Sequence, residues 1–309
     1  RAVPGITNSE GGGASAGRAV IALATSGGFA RGYRGTSYGV SASVIAGTGQ
    51  AMQRDYAYHT ARHFADLDAA DAIGREAGER AAARVDPAKL GTQALPIVFD
   101  PRVGGSLLGH FVGAITGGAI ARGTSFLRDA LDTEVFGSGV TIRDEPHRHR
   151  GLRSRPFDGE GLPTAARAII DAGRLTGWLM DSASARQLGL APTGHAVRGV
   201  SGPPGAGPSN LHMLAGATTR AALIGGIAHG FYVTELIGMG VNGLTGDYSR
   251  GASGFLIVDG ELAGPIAEVT IAGNLKDMFR HLTPADDLVF RHATNVPTIR
   301  IDGMTLAGA

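Results

Sequence analysis

The pattern of apolar and polar positions is most uneven in one stretch, Gly104 to Phe126, GGSLLGHFVGAITGGAIARGTSF. Between Arg102 and Arg122 only His110 is ionisable, and Leu107, Leu108, Phe111, Val112 and Ile115 recur at helical spacing. The pattern predicts a buried helix from Ser106 to Ala121. Gly105, Gly109, Gly113 and Gly117 recur every four residues, which on a helix makes one slowly drifting stripe without side chains. Glycine inside a helix costs roughly 0.5–1 kcal/mol against alanine. The stripe therefore predicts close approach of another backbone, or of an extended ligand. The stretch is too short and glycine-rich for a membrane helix, which needs ~20 mostly apolar residues.

Elsewhere the patterning alternates. Ala19–Thr25, Ser37–Ala46 and Gln50–Thr60 read as strands, the last carrying Arg54, Asp55 and Tyr56. Asp68–Val85 reads as a helix with Ile73, Ala77, Ala81 and Val85 on one face, Asp68 as cap and Pro87 as stop. Leu95–Phe99 is a short buried strand. Ala172-Gly173 and Asp259-Gly260 are hairpin turns, joining Ala168–Asp171 to Arg174–Met180 and Phe255–Val258 to Glu261–Ile271. Ser182–Leu188, Thr218–Ile227 and Leu275–Leu282 read as short helices, and Leu211–Leu214, Gly230–Leu236 and Thr298–Leu306 as strands. Thr141–Gly161 is highly charged and reads as an exposed loop, and Gly199–Pro208 as a loop without a phosphate-binding lysine. Residues 1–16, with Pro4 and a triple glycine, read as a junction, leaving 17–309 as one domain. Strands joined mostly by tight turns, with few helices between them, predict an α+β fold dominated by antiparallel sheet.

Composition narrows the function classes. A net charge of +1 argues against a general nucleic-acid surface. The chain has no cysteine, which removes disulfides, thiolate nucleophiles and cysteine metal ligands. Glycine supplies 50 of 309 residues, more than twice the usual ~7%, without a collagen period. With no signal peptide, no hydrophobic span and Arg1 at its start, the sequence predicts a cytoplasmic protein whose chain begins partway along a longer one.

Four places carry candidate chemistry. Gly35-Thr36-Ser37-Tyr38-Gly39 matches G-x-S-x-G, but a nucleophile elbow needs a helix after it, and a strand pattern follows Ser37. The expectation is a structural glycine turn. His147 and His149 lie among Arg143, Arg148 and Arg150, which oppose a divalent ion; a solvated loop is the better reading. Asp247-Tyr248-Ser249-Arg250-Gly251 reads equally as a turn with a local ion pair or as the polar lip of a cleft. His110 lacks the second histidine and carboxylate that a zinc helix requires.

Taken together, ITNSEGG, QRDYAYHTARH, LLGHFVGAITGG, RPFDGEG, SARQLGLAPTGHA, TGDYSRGASGF, VTIAGNLKDM and the final MTLAG resemble the TldD/PmbA family, once called modulators of DNA gyrase, and within it the PmbA or TldE branch. TldD-type chains carry HExxxH on the helix that matches Gly104–Gly118. This sequence has Gly109 for the first histidine, His110 for the glutamate and Ala114 for the second histidine, and cannot supply TldD's further cysteine. The resemblance implies a subunit without catalytic or metal-ligating residues in a TldD–TldE zinc peptidase that cleaves peptides and unfolded proteins in the bacterial cytoplasm. Zinc would sit in the TldD-like partner, and the chain would contact neither nucleic acid nor membrane. Self-association would be open to it when the partner is absent. It also implies a preceding N-terminal α/β domain. Gly109, His110, Gly113, Gly117, Asp247, Ser249 and Arg250 are the residues that would face peptide or partner. The alternative is an interaction protein that modulates a client such as gyrase.

Overall fold

The computed structural model describes residues 2–199 and 201–308, so Arg1, Val200 and Ala309, which fall within the junction, loop and domain expected above, lie outside the described residues. The first unit is a three-stranded antiparallel sheet of β1 (Ile6–Ala24), β2 (Ala30–Ala46) and β3 (Gln53–Ala61), followed by α1 (Ala70–Ala82). Ile73, Ala77 and Ala81 of α1 are spaced four apart and bury against Val44, Ala46 and Ala57 of the sheet. The helix starts from Ala69 with no side-chain cap. Asp68, expected as the cap, instead pairs with Arg291.

Residues 6–16, expected to be a junction, belong to β1. Their glycines, serines and alanines read as a linker by composition, but β2 pairs with them along its whole length, from Ile6 opposite Ala46 to Ala24 opposite Ala30, with irregularities near Ser9 and Gly11. The G-x-S-x-G segment lies in mid-β2, with exposed Ser37 opposite Gly17, so there is no turn at all.

The second unit contains β4 (Gln93–Phe99), α2 (Pro101–Ala114), α3 (Gly117–Ala121), β5 (Ile142–Asp144), β6 (Arg167–Asp171), β7 (Arg174–Leu175), α4 (Ser182–Leu188), β8 (Ala196–Val197), β9 (Gly205–Ala206), β10 (Leu211–Met213), α5 (Arg220–Gly225), β11 (His229–Ile237), β12 (Asp247–Val258), β13 (Glu261–Asn274), α6 (Leu275–Arg280), β14 (Leu282–Pro284), β15 (Thr294–Asn295) and β16 (Ile299–Ala307). Its main sheet runs β13-β12-β11-β4-β16-β14, and β13 pairs again with β16, closing the first five strands into a ring. Pairing there is antiparallel except between β4 and β11. A second sheet runs β15-β10-β5-β6-β7, and β8 pairs with β9. The fold is therefore α+β with mostly antiparallel sheet. Both two-residue hairpin turns hold two residues at positive φ, Ala172 with Gly173 and Asp259 with Gly260, which matches the twist of the flanking strands.

The Thr141–Gly161 segment is not wholly exposed. β5 lies within it, with Ile142 and Asp144 buried, and Phe157 and Asp158 are buried beyond. Asp144 accepts hydrogen bonds from the backbone N–H and hydroxyl of Ser209, and its other oxygen lies 3.3 Å from His195 Nε2. A charged side chain satisfied in this way folds inward despite its polarity.

The glycine-rich helix is also differently bounded. Asp100 caps α2 by accepting from the Arg102 N–H at 2.9 Å, and Pro101 takes the first helical position, where its missing N–H is not needed. The predicted helix breaks at Thr116, which is extended. There the chain bridges to Leu179: Leu179 N–H donates to Ile115 O at 3.0 Å, and Gly117 N–H donates to Leu179 O at 2.8 Å. A long-range partner, invisible to local periodicity, thus splits one predicted helix into α2 and α3.

Candidate functional site

α2 buries Leu107, Leu108, Phe111 and Ala114 in the main core and turns Gly109 and Gly113 outward. A Cβ built on Gly109 or Gly113 would meet nothing within 4 Å, and one on Gly105 only Thr294 O at 3.7 Å. The stripe is therefore open at Gly109 and Gly113: of the two neighbours expected there, another backbone or an extended ligand, no backbone of this chain approaches. The tight glycines lie elsewhere. A Cβ on Gly104 would come within 3.0 Å of Val296, and one on Gly117 within 2.8 Å of both Ser184 Cβ and Met180 Cγ beneath α4. Gly117 is a packing residue and leaves the set of partner-facing candidates.

Beside the open stripe lies the beginning of β12. The segment Asp247–Gly251, expected as a turn or lip, is strand, with Asp247 opposite Asn274 and Arg250 opposite Ile271. Strand alternation divides its side chains. Tyr248 turns inward, 1% exposed, and its ring meets the His110 ring edge-on with centroids 5.9 Å apart. Arg250 is half-buried on the same face, while Asp247 and Ser249 are exposed on the other. Asp247 accepts from the Thr245 hydroxyl at 2.5 Å and the Asn274 amide at 3.0 Å. These two bonds hold its carboxyl below the usual range and give it a turn-fixing role. Of the seven sequence-derived candidates, the structure brings together His110 and Arg250 beside Gly109 and Gly113, and sets Gly117, Asp247 and Ser249 apart from them.

The cluster is electrostatically unusual. His110 Nε2, the Tyr248 hydroxyl and Arg250 Nε are all shielded from solvent and have no hydrogen-bond partner. Arg84, Arg102, Arg220 and Arg291 each pair with a carboxylate, but Arg250 has no such pair among the described residues. Burial, and then the Arg250 charge, lower the His110 pKa, so its imidazole is neutral near pH 7. Burial also pushes the Tyr248 hydroxyl up to about 12, against the opposing charge of Arg250 and a guanidinium close enough to lean on the hydroxyl without forming a well-aligned hydrogen bond. One neutral imidazole beside an unpaired guanidinium does not fit a zinc ion, which takes three or four anionic or imidazole ligands. Among the described residues no group of three such ligands is gathered anywhere.

A concavity of about 360 Å³ opens at the N-terminus of α2, where the two units meet. Tyr56 and Tyr58 of β3, Arg102, Arg220, Tyr232 and His292 are among its walls. Its foundation is Asp55, 2% exposed, which accepts from Arg102 at 2.8 Å and Arg84 at 3.1 Å; Arg84 also pairs with Glu235. Burial pushes the Asp55 carboxyl up, but the bonds and charge of Arg102, with those of Arg84 and the Tyr56 N–H, outweigh it and leave the pKa lowered. Opposite, the Tyr232 hydroxyl donates to Asp100 at 2.7 Å and accepts from Arg220 at 3.0 Å. Sequence reasoning missed this network. Its one local trace is a carboxylate, Asp55, at a strand position whose neighbours Ala57 and Ala61 face the core.

The sequence profile of the PmbA/TldA metallopeptidase C-terminal domain matches residues 92–308, and that of the central domain matches residues 1–85. The break between them falls where α1 ends and β4 begins, not at the expected junction near residue 16. The chain is 40% identical over 304 residues to the metalloprotease PmbA of Escherichia coli O157:H7, and 37% identical over 307 residues to the metalloprotease PmbA homologue of Haemophilus influenzae. Each alignment covers 98% of this chain and 66% of the relative, so the chain spans just under two thirds of their length. The fold superposes on a crystal structure of a candidate modulator of DNA gyrase from Bacteroides thetaiotaomicron with a TM-score of 0.88, at 29% identity, over 96% of this chain and 66% of that one. It also superposes on TldE from Thermococcus kodakarensis with a TM-score of 0.85, at 21% identity, over 96% and 69% of the two chains.

Proposed function

The chain belongs to the family of PmbA/TldA metallopeptidases, and on that premise we propose that it is the TldE/PmbA-like subunit of a two-chain peptidase, completing a cleft whose catalytic zinc is held by a TldD-like partner. The observation that carries this reading is the state of α2. The helix keeps an open, side-chain-free face, but where a zinc helix would present ligands it has Gly109, His110 and Ala114, with Arg250 alongside. A retained framework without ligands makes sense as a wall beside another chain's metal. The substrates are extended peptides and unfolded proteins, which can lie against a bare helix face. The setting is the cytoplasm. No described helix is long and apolar enough to cross a membrane.

The test is co-purification. The chain, tagged and expressed in its native cytoplasm, should retain a partner bearing HExxxH, and the complex should hold zinc that the chain alone does not. Stoichiometric zinc bound through His110 in the isolated chain, or repeated purification without such a partner, would contradict the proposal. The competing reading, an interaction protein acting on a client such as gyrase, draws on the description of the Bacteroides structure. A net charge of +1 argues against a general nucleic-acid surface for that role.

A further inference from the structure

The α2–β12 cluster leaves hydrogen-bonding capacity unused in a place where folding normally satisfies it. Most buried polar side-chain atoms find a partner, and each exception calls for an explanation. Here three occur side by side: His110 Nε2, the Tyr248 hydroxyl and Arg250 Nε. Tyr248 is 1% exposed, so its unpaired hydroxyl is a cost within the free protein. Arg250 adds a guanidinium without a carboxylate among the described residues. The group beside it, His110, is an imidazole and supplies no negative charge in either protonation state.

The three groups define what is missing. Arg250 can only donate, and a neutral tyrosine hydroxyl can donate to an anion while a neutral imidazole does either. The absent partner is therefore an acceptor, and the uncompensated positive charge makes it an anionic one. A planar carboxylate matches a guanidinium fork. The approach is set by α2, where Gly109 flanks His110 and Gly113 lies one turn on, both with nothing within 4 Å of a Cβ. The β11–β12 connection, whose Met239 shares a concavity with Tyr248, exposes Met239, at 85%, and Leu244, at 60%. A bare helix face, an exposed apolar side chain near Tyr248 and an unpaired cation suit one end of an extended peptide.

We infer that His110, Tyr248 and Arg250 form a receptor for the C-terminal carboxylate of a peptide lying along the Gly109–Gly113 face. The inference rests on the reading of this cleft as peptide-facing, and assigns to this chain the role of setting which end of the substrate it holds. Seating the carboxylate requires the cluster to open enough to admit two oxygens. The Tyr248 hydroxyl and Arg250 then gain the partner they lack in the free protein.

The experiment uses the full chain, alone and in complex with its HExxxH-bearing partner. Its probes are one unstructured apolar peptide with a free C-terminus, the same peptide as a C-terminal amide, and acetate. Calorimetry should show the free acid binding about tenfold or more tighter than the amide, the size of one charge-assisted hydrogen bond, with acetate competing weakly. Arg250→Gln should erase the preference for the acid, Arg250→Lys should keep part of it, and Tyr248→Phe should reduce it severalfold. Circular dichroism would confirm that each variant is folded. Equal binding of acid and amide would overturn the inference, as would a preference that survives Arg250→Gln. So would an Arg250→Gln chain that loses assembly with the partner yet keeps the preference, which would assign the guanidinium to an acid of the partner. Because binding is read without cleavage, acid preference with no peptidase activity would defeat only the two-chain reading.

Discussion

Two glycines four residues apart, Gly113 and Gly117, should respond to the same substitution with opposite signs. Gly113 lies in the last turn of α2 with open space around its would-be Cβ. Alanine there gains at most the helix-propensity difference of roughly 0.5–1 kcal/mol. At Gly117 a Cβ would sit 2.8 Å from Ser184 Cβ and Met180 Cγ, against an ordinary carbon separation of ~3.5–4.0 Å. The wall cannot easily give. Ser184 is 3% exposed, its hydroxyl donates to Asp181 Oδ1 at 2.9 Å, and that same carboxylate caps α4 through the Ser184 N–H at 2.7 Å. Overpacking costs about 1–3 kcal/mol, and disturbing the cap up to about 1 kcal/mol more. Against these, propensity returns at most ~1 kcal/mol. Gly117→Ala should therefore be destabilising by about 1–3 kcal/mol, and Gly113→Ala neutral to slightly stabilising. Guanidinium unfolding followed by circular dichroism, with midpoint shifts multiplied by a common slope, measures both. A Gly113→Ala chain that loses more than ~1 kcal/mol, or an unaffected Gly117→Ala chain, would refute the assignment of open and packed positions along the stripe.

Further outcomes follow from the polar network. Asp55→Asn removes the buried acceptor shared by Arg84 and Arg102 and should cost about 3–5 kcal/mol in the same unfolding assay; a loss under ~1 kcal/mol would show the two units joined by other contacts. Because the folded Asp55 pKa is lowered, its contribution is present above the unfolded value of ~3.9 and lost as pH falls through the folded one. An acid-unfolding midpoint unchanged by Asp55→Asn would contradict this. His110, His212 and His292 are each lowered, by burial first, so the unfolded chain binds protons they do not. Stability should be full above the ordinary imidazole value of ~6.5 and decline as pH falls below it, and His110→Gln should flatten the urea-midpoint profile in that window. Tyr248→Phe removes an unsatisfied hydroxyl and should leave the free chain as stable or more stable, by up to about 1 kcal/mol; a marked loss would mean that the hydroxyl is bonded after all.

Local chemistry made much of the fold legible. Hairpin turns at Ala172-Gly173 and Asp259-Gly260 and the helix Ser182–Leu188 follow from residue type alone, because positive φ and the Asp181 cap are local requirements. What escaped the sequence depends on distant partners. The run near Gly11 became strand because β2 extends opposite it, and the helix ended at Ala114 because Leu179 captures Ile115 and Gly117. Asp144 turned inward because Ser209 and His195 meet it. For the site, sequence pointed to His110 and Arg250 but not to Tyr248, which joins them only when β12 is laid beside α2. Glycine spacing located a bare face but could not say that Gly109 and Gly113 open outward while Gly117 packs, since that is decided by where α4 sits.

The proposed function assigns peptide cleavage to a pair of chains, to which this one contributes a wall and no metal. It is tested most directly by holding a purified HExxxH-bearing partner at fixed concentration, titrating in this chain, and following hydrolysis of an unfolded peptide with and without a chelator. Neither chain alone should cleave appreciably. The rate should rise with added chain, saturate, and vanish with chelator. Full chelator-sensitive cleavage by the partner alone, unchanged by this chain, would contradict the two-chain proposal.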